Sequence, residues 1–358
     1  MMQQNDLKVM KSVYSYFFPE VRPLIHLVDK IDDHFYMNTT PVGDAEQMLQ
    51  EALHLDRPLE LPYPEGNDTM LDRIHLPIIA RIVDAYKDSI NGLRDFQYVY
   101  PTSGSSEGIY HLIAEWRTHA RVTGIGVLDG EYEGYGEYAK TLGVDIITAI
   151  NFADAIKKSY ARPTAEWYIS NPSARDGNII QNEHINLLCE RGLHVTLDLA
   201  YVGITGPYSF DVSHENVDAV LMSFSKPYGV FRFRIGGLCF SRYPIKSLIG
   251  NKWFKDVPRL LAALKFVDAV PPGTLYEKYR PIQEEIVDEI ARTLFSLDSS
   301  QIYPPPVEPS DALLLANLSD LKPNTEYYKD QLAPYHRGKG YRLCITPYFE
   351  EHEMNGDV

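Results

Sequence analysis

Seven short apolar runs, spaced along the middle of the chain with helical pattern between several of them, leave this sequence few architectures. They are FQYVY (96–100), GIGVLD (124–129), VDIITAI (144–150), EWYIS (166–170), HVTLDL (194–199), AVLMSF (219–224) and IGGLCF (235–240). Helical periodicity fills several gaps, for example Ser106–His119 and Asn182–Glu190. Strands that are apolar on both faces and separated by helices predict an α/β fold: a mostly parallel seven-stranded sheet covered by helices on both sides. Ligands of such sheets bind beyond the carboxyl ends of the strands.

The chain has 358 residues, more than one compact core usually holds, so two lobes are expected. The pattern changes near residue 256. A long helical stretch, EKYRPIQEEIVDEIARTLFSL, is followed by Pro-rich IYPPPVEP and two β-type runs, ALLLANL and YRLCITPY. The expected division is a large domain over 46–255 and a smaller α/β domain built from 1–45 and 256–358.

The formal charge of −15 argues against nucleic acid as a partner. Cys189, Cys239 and Cys344 are far apart and odd in number, which suits a reducing, cytoplasmic setting and gives no metal spacing. No run is long and apolar enough to span a membrane, so no membrane partner is expected. A dinucleotide fingerprint fails: in GIGVLDG the third glycine position is Asp129, and the segment reads as strand.

Four stretches carry candidate chemistry. In YPTSGSSEGIYHLIAEW (100–116) a strand ends, a turn with Gly104, Ser105 and Ser106 follows, and a helix begins; helix-start amides there favour an anion. The same residues are also ordinary helix caps. In HVTLDLAYVGI, Asp198 ends an apolar strand and needs a cationic partner, with Tyr201 three residues on. In LMSFSKPYGVFRFRIGG, Lys226 follows a buried strand between Ser223, Ser225 and, eight residues later, Arg234. A desolvated lysine amine is a nucleophile toward carbonyls, and an arginine fork suits phosphate. YRLCIT places Arg342 on a late strand, where an arginine is also often just solvated.

In this order these parts resemble the fold-type I pyridoxal-phosphate enzymes of the class I/II aminotransferase family, and among them most resemble histidinol-phosphate aminotransferase relatives. The motif S-x-S-K with an arginine eight residues on is matched by Ser223, Ser225, Lys226 and Arg234. D-x-A-Y is matched by Asp198, Ala200 and Tyr201. GSSEGI resembles the cofactor-phosphate turn. MNTTPVG from Asn38 and LPYPEGND around Tyr63 are similar to N-terminal family segments. The resemblance implies pyridoxal 5′-phosphate carried by Lys226 as a Schiff base, with Asp198 on the pyridine nitrogen and Tyr201 on the ring oxygen. It implies phosphate contacts from Gly104, Ser105, Ser106, Ser223, Ser225 and Arg234, and from Tyr63 of a second subunit. Arg342 would bind a substrate carboxylate. A stacking ring would come from Tyr132, with Tyr135 as competitor. The family asparagine that bonds the ring oxygen has no unambiguous match in SNPSARDGNII. Counting from Gly177 gives Ala174, and counting to Asp198 favours Asn171, which is preferred and would also touch substrate. The implied activity is amino-group exchange between an amino acid and a 2-oxo acid in a cytoplasmic homodimer. Decarboxylation, β-elimination and oxidation are the alternatives on this fold, and a non-catalytic binding protein is a more distant one. No run in the sequence names the amino donor.

Overall fold

The computed structural model describes residues 7–11, 16–25, 72–118, 122–230, 236–254, 257–297, 306–319 and 329–356. Its centre is a seven-stranded sheet formed by β1 (Tyr98–Thr102), β2 (Gly124–Leu128), β3 (Asp145–Ala149), β4 (Ala165–Ser170), β5 (His194–Leu199), β6 (Val217–Ser223) and β7 (Gly237–Ser241). Their spatial order is β1-β7-β6-β5-β4-β2-β3. The five strands from β6 to β3 pair in parallel, whereas β7 runs antiparallel to both β1 and β6. All seven apolar runs of the sequence therefore enter one sheet.

Strand alternation sorts their side chains into two cores, because successive residues point to opposite faces. Val99, Trp167, Ile169, Val220, Met222, Leu238 and Phe240 join one hydrophobic cluster. Their neighbours Tyr100, Tyr168, Leu221 and Cys239 join the other. Helix α2 (Ser105–Thr118) and α3 (Glu133–Leu142) cover the second face through Ile109, Leu112, Ile113, Trp116, Tyr135 and Ala139. The first face receives α1 (Asp72–Ala85), α5 (Asn182–Glu190) and α7 (Val257–Ala269). Each fully buried aliphatic side chain contributes roughly 1.5–3 kcal/mol, so a sheet covered twice is the stable outcome for strands apolar on both sides. Strand β3 departs from this expectation. It lies at the sheet edge, and Ile146 and the following Ile150 are exposed. The helices α4 (Phe152–Ala161), α6 (Lys246–Phe254) and α8 (Thr274–Leu297) complete the connections.

A second, antiparallel sheet has the order β8-β9-β11-β10, with β8 Glu308–Pro309, β9 Leu315–Ser319, β10 His336–Arg337 and β11 Gly340–Cys344. It is stitched to the loops at the carboxyl ends of the large sheet: Ala312 N donates to Gly177 O (3.0 Å) and Leu313 N to Ile204 O (3.0 Å). This brings Arg342 next to residues that are far away in sequence. The last helix, α9 (Thr346–Met354), begins two residues after β11. Among the described residues no helix is long and apolar enough to cross a membrane.

Candidate active site

Register places the candidate residues side by side before any side chain is considered. Thr102 and Ser223 both pair with Gly237, so the ends of β1 and β6 meet the start of β7 in one row. Ser170 pairs with Asp198 across β4 and β5. Strand direction thus delivers the 103–106 turn, the 171–178 turn, Asp198–Tyr201 and Ser223–Lys226 to one rim.

Asp198 is 4% exposed. Its Oδ2 accepts a hydrogen bond from Tyr135 Oη (3.2 Å). Its Oδ1 is buried with no hydrogen-bond partner among the described residues. Burial pushes this carboxyl up; the charge of Lys226 and the hydroxyls of Tyr135 and Ser105 act the other way. A buried, half-satisfied carboxylate is costly unless a cation meets it. Lys226 is half-buried, and its Nζ stands 3.8 Å from the centroid of the Tyr201 ring. It is therefore not a lysine reaching into solvent from a strand end. Tyr201 is itself buried, which fixes the ring beneath the amine.

The turn after β1 is built around Gly104, whose φ of +132° suits glycine and strains other residues. The turn opens into α2, whose first amides have no partner inside the helix. Glu107 folds back and accepts from Ser103 N (2.6 Å), so the capping reading of this stretch holds at Ser103. Ser223 and Ser225 are buried; Ser225 N donates to Ser223 Oγ (3.3 Å), and Ser225 Oγ has no partner among the described residues. The two candidate rings separate cleanly. Tyr135 is fully buried behind Asp198, whereas Tyr132 is 37% exposed and its hydroxyl lies 3.3 Å from Ser106 Oγ. Of the two, Tyr132 is the more exposed ring at the rim.

The 171–178 turn carries both candidates for the ring-oxygen contact, Asn171 and Ala174. Asn171 Oδ1 accepts from Ile180 N and Asn171 Nδ2 donates to Ile180 O, both at 2.9 Å. These bonds use Oδ1 and one of the two Nδ2 hydrogens, so the amide closes the loop and keeps a second donor hydrogen that they do not engage. Ala174, the other candidate, meets the site through its backbone: its carbonyl accepts from Arg342 Nη1, and its N donates to Ser170 Oγ (2.6 Å). Arg342 also donates through Nη2 to Lys11 O (3.1 Å), and its buried Nε has no partner among the described residues. It is a buried guanidinium, not the solvated arginine of an ordinary terminal strand.

Several groups here escaped the sequence reading. Glu131 is buried, accepts from Ser170 Oγ and from Ser173 Oγ (3.1 Å), and is pushed up to about 7 by burial. In DGEYEGYGEY nothing distinguishes it from its exposed acidic neighbours. Tyr135 as partner of Asp198 is visible only once α3 is packed on the sheet. Arg234 and Tyr63 lie outside the described residues, as does Asn38.

Pyridoxal phosphate fits what is present. The unpartnered Asp198 Oδ1 suits a pyridinium N–H, and the unpartnered Ser225 Oγ and the Gly104–Ser106 turn suit a phosphate. The Lys226 amine suits the aldehyde, and Tyr132 suits the ring face.

Similar solved structures share this fold at low identity. A protein described as a histidinol-phosphate aminotransferase from Erwinia carotovora atroseptica is 14% identical, with 98% of this chain and 96% of that one covered and a TM-score of 0.54. The pyridoxal-phosphate-bound C-S lyase of Staphylococcus hominis is 11% identical over 97% of this chain and 85% of that one, with a TM-score of 0.60. The L-threonine-O-3-phosphate decarboxylase of Porphyromonas gingivalis is 15% identical over 88% and 94%, with a TM-score of 0.53. A sequence comparison with curated proteins gave no match. The profile of the aminotransferase class I and II family matches residues 75–269, more than half of the chain and the whole of the central sheet. With that match joined to the geometry of Asp198, Tyr201 and Lys226, this chain belongs to the class I and II aminotransferase family and is an enzyme whose cofactor is pyridoxal 5′-phosphate.

Proposed function

We propose that the protein is an aminotransferase, moving an amino group from an amino acid to a 2-oxo acid with Lys226 as both attachment point and proton carrier. The observation that carries this reading is the half-buried Lys226 amine above Tyr201, beside a carboxylate with one unpartnered buried oxygen. When bound, the cofactor supplies an electron sink for the negative charge that forms at the substrate Cα. Asp198 Oδ1 holds the proton on the pyridine nitrogen, which keeps that sink strong. The Lys226 Nζ would act as the general base that takes the proton from the substrate Cα and would carry it to the carbon on the far side of the substrate nitrogen. The Tyr201 hydroxyl hydrogen-bonds the ring oxygen. Gly104, Ser105, Ser106, Ser223, Ser225 and Arg234 would hold the phosphate, with Tyr63 of a second subunit, and Tyr132 would cover the ring face.

What favours transamination over the decarboxylase chemistry of a similar fold is Arg342. A guanidinium that grips the α-carboxylate keeps the Cα–carboxyl bond from aligning with the ring electrons and turns Cα–H toward the lysine. The chain is read as a cytoplasmic homodimer with a 46–255 large domain and a 1–45 plus 256–358 small domain. The three described cysteines are free and buried, which suits that compartment. Mixing the holoenzyme with single amino acids tests the reaction. Transamination gives one equivalent of 2-oxo acid per site and stops until a 2-oxo acid is added. Release of carbon dioxide, or continuous release of ammonia with pyruvate, would replace this reading by decarboxylation or elimination.

A further inference from the structure

The amino ends of the parallel strands, opposite the Lys226 rim, carry a cluster that the reaction does not use. Glu166 is the second residue of β4 and His194 the first of β5, and the two are Cα partners across the pair. Register then slips between β5 and β6. Val195 pairs with Val217 but Thr196 pairs with Ala219, which leaves Asp218 as an extra residue on β6. Such a bulge re-aims the side chain it frees. The Asp218 Oδ2 comes to 2.9 Å from His194 Nδ1. Thr196, two residues from His194 and on the same face, donates to Glu166 Oε1 (2.6 Å). One nitrogen or oxygen from each of Glu166, His194 and Asp218 lies within 4.8 Å of the other two. No spacing rule finds this trio, because each member comes from a different strand.

Glu166 is fully buried, and the Asp218 side chain is 5% exposed. Two carboxylates this close repel unless a cation or a proton stands between them. At Asp218 the imidazole meets Oδ2 alone; Oδ1 is buried with no hydrogen-bond partner among the described residues. A proton would not repair this, since an O–H on Oδ1 would find no acceptor among them either. A metal ion needs only the lone pair. Ligands at about 2.0–2.2 Å from a tetrahedral cation lie about 3.3–3.6 Å apart, so side-chain shifts of about 1 Å close this trio on one ion. The His194 side chain is 31% exposed and gives the ion a way in. One imidazole and two carboxylates suit zinc or a similar first-row divalent ion, whereas magnesium and calcium take all-oxygen shells.

We propose that Glu166, His194 and Asp218 bind one divalent first-row cation, zinc being the type, as a structural clamp on the amino ends of β4, β5 and β6. Asp198 lies four residues beyond His194 on β5, roughly 13 Å away at about 3.3 Å per residue. The clamp therefore touches neither the cofactor nor the substrate, and it stands whatever reaction Lys226 serves.

Tag-free holoenzyme, dialysed against a chelator and then titrated with zinc, tests this. Gel filtration followed by elemental analysis should find one zinc per chain, and a large excess of magnesium should not displace it. Cobalt in its place should give the visible bands of a tetrahedral site, away from the absorption of the cofactor. His194→Gln keeps a hydrogen-bond partner for Asp218 and removes the imidazole; Asp218→Asn keeps the shape and removes the charge. Each should weaken zinc binding at least about a hundredfold and abolish the cobalt bands. At about a hundred times Kd, zinc should raise the Tm of the native protein by about 3–4 °C and leave that of His194→Gln unchanged. Turnover of the chelated and the one-zinc enzyme should agree within about twofold, since sites this far apart act independently. No stoichiometric zinc in the native protein, or unchanged zinc binding in His194→Gln, would overturn the proposal. His194 is part-exposed, so that variant reads the site even where Asp218→Asn fails to fold. Turnover that is lost on chelation and returns with zinc would overturn the assignment as a structural clamp.

Discussion

Replacing Asp198 by asparagine should move activity and stability in opposite directions. In the cofactor-free protein this carboxyl is buried, one oxygen has no partner among the described residues, and burial raises its pKa. An unsatisfied buried polar group costs about 1–3 kcal/mol. The Lys226 charge offsets part of that, so removing the ionisable group should stabilise by about 1–2 kcal/mol. For 358 residues the unfolding entropy is about 0.75 kcal/mol/K, so Tm should rise by about 1–3 °C. A raised acid pKa contributes stability in full below its unfolded value and loses it as pH rises through the folded one. The gain in the variant should therefore be larger at pH 8 than at pH 5. Catalysis should fall instead. The amide introduced by Asp198→Asn would still accept from Tyr135 but could not hold the pyridinium charge. A loss on the order of hundredfold, about 2.7 kcal/mol of transition-state stabilisation, is expected. Melting curves of the cofactor-free proteins and single-turnover rates of the loaded ones measure both effects. A lower Tm together with a rate loss under about tenfold would refute the reasoning and make Asp198 a structural residue.

Two further outcomes follow from the same rim. Glu131→Gln keeps partners for Ser170 and Ser173 but cannot ionise. The native carboxyl, raised from 4.5 to about 7, loses about 3 kcal/mol of stabilisation as pH climbs through that window. Urea denaturation should therefore show a smaller fall in stability from pH 5 to pH 8 in the variant, and an identical fall would contradict the assignment. Asn171→Ala removes two hydrogen bonds to Ile180 and should destabilise by about 1–3 kcal/mol, with cofactor affinity within about threefold of native. A large loss of cofactor affinity without loss of stability would instead assign Asn171 to the cofactor ring.

The seven strands were legible because burial on both faces forces continuous apolar runs, and AVLMSF and HVTLDL are of that kind. Orientation and order were not legible. IGGLCF reads like its neighbours, yet β7 runs antiparallel, and VDIITAI reads as core, yet β3 is the edge. Local pattern records burial of a segment, and direction is set by the connections. Lys226 and Asp198 stood out because a charge at the end of an apolar strand needs a cause. Tyr132 was preferred to Tyr135 from the sequence, and the structure leaves Tyr132 exposed at the rim and buries Tyr135 behind Asp198. The pairing of Asn171 with Ile180 was not legible because it spans a loop whose shape no spacing rule supplies.

The account turns on Lys226 as the residue that carries the cofactor. Borohydride reduction of the holoenzyme, followed by proteolysis and mass spectrometry, locates the attachment directly. The expected result is a single modified peptide with the pyridoxyl phosphate on Lys226, and none from Lys226→Ala, which should still fold. Modification at another lysine, or cofactor bound with no reducible linkage in the native protein, would contradict the central claim.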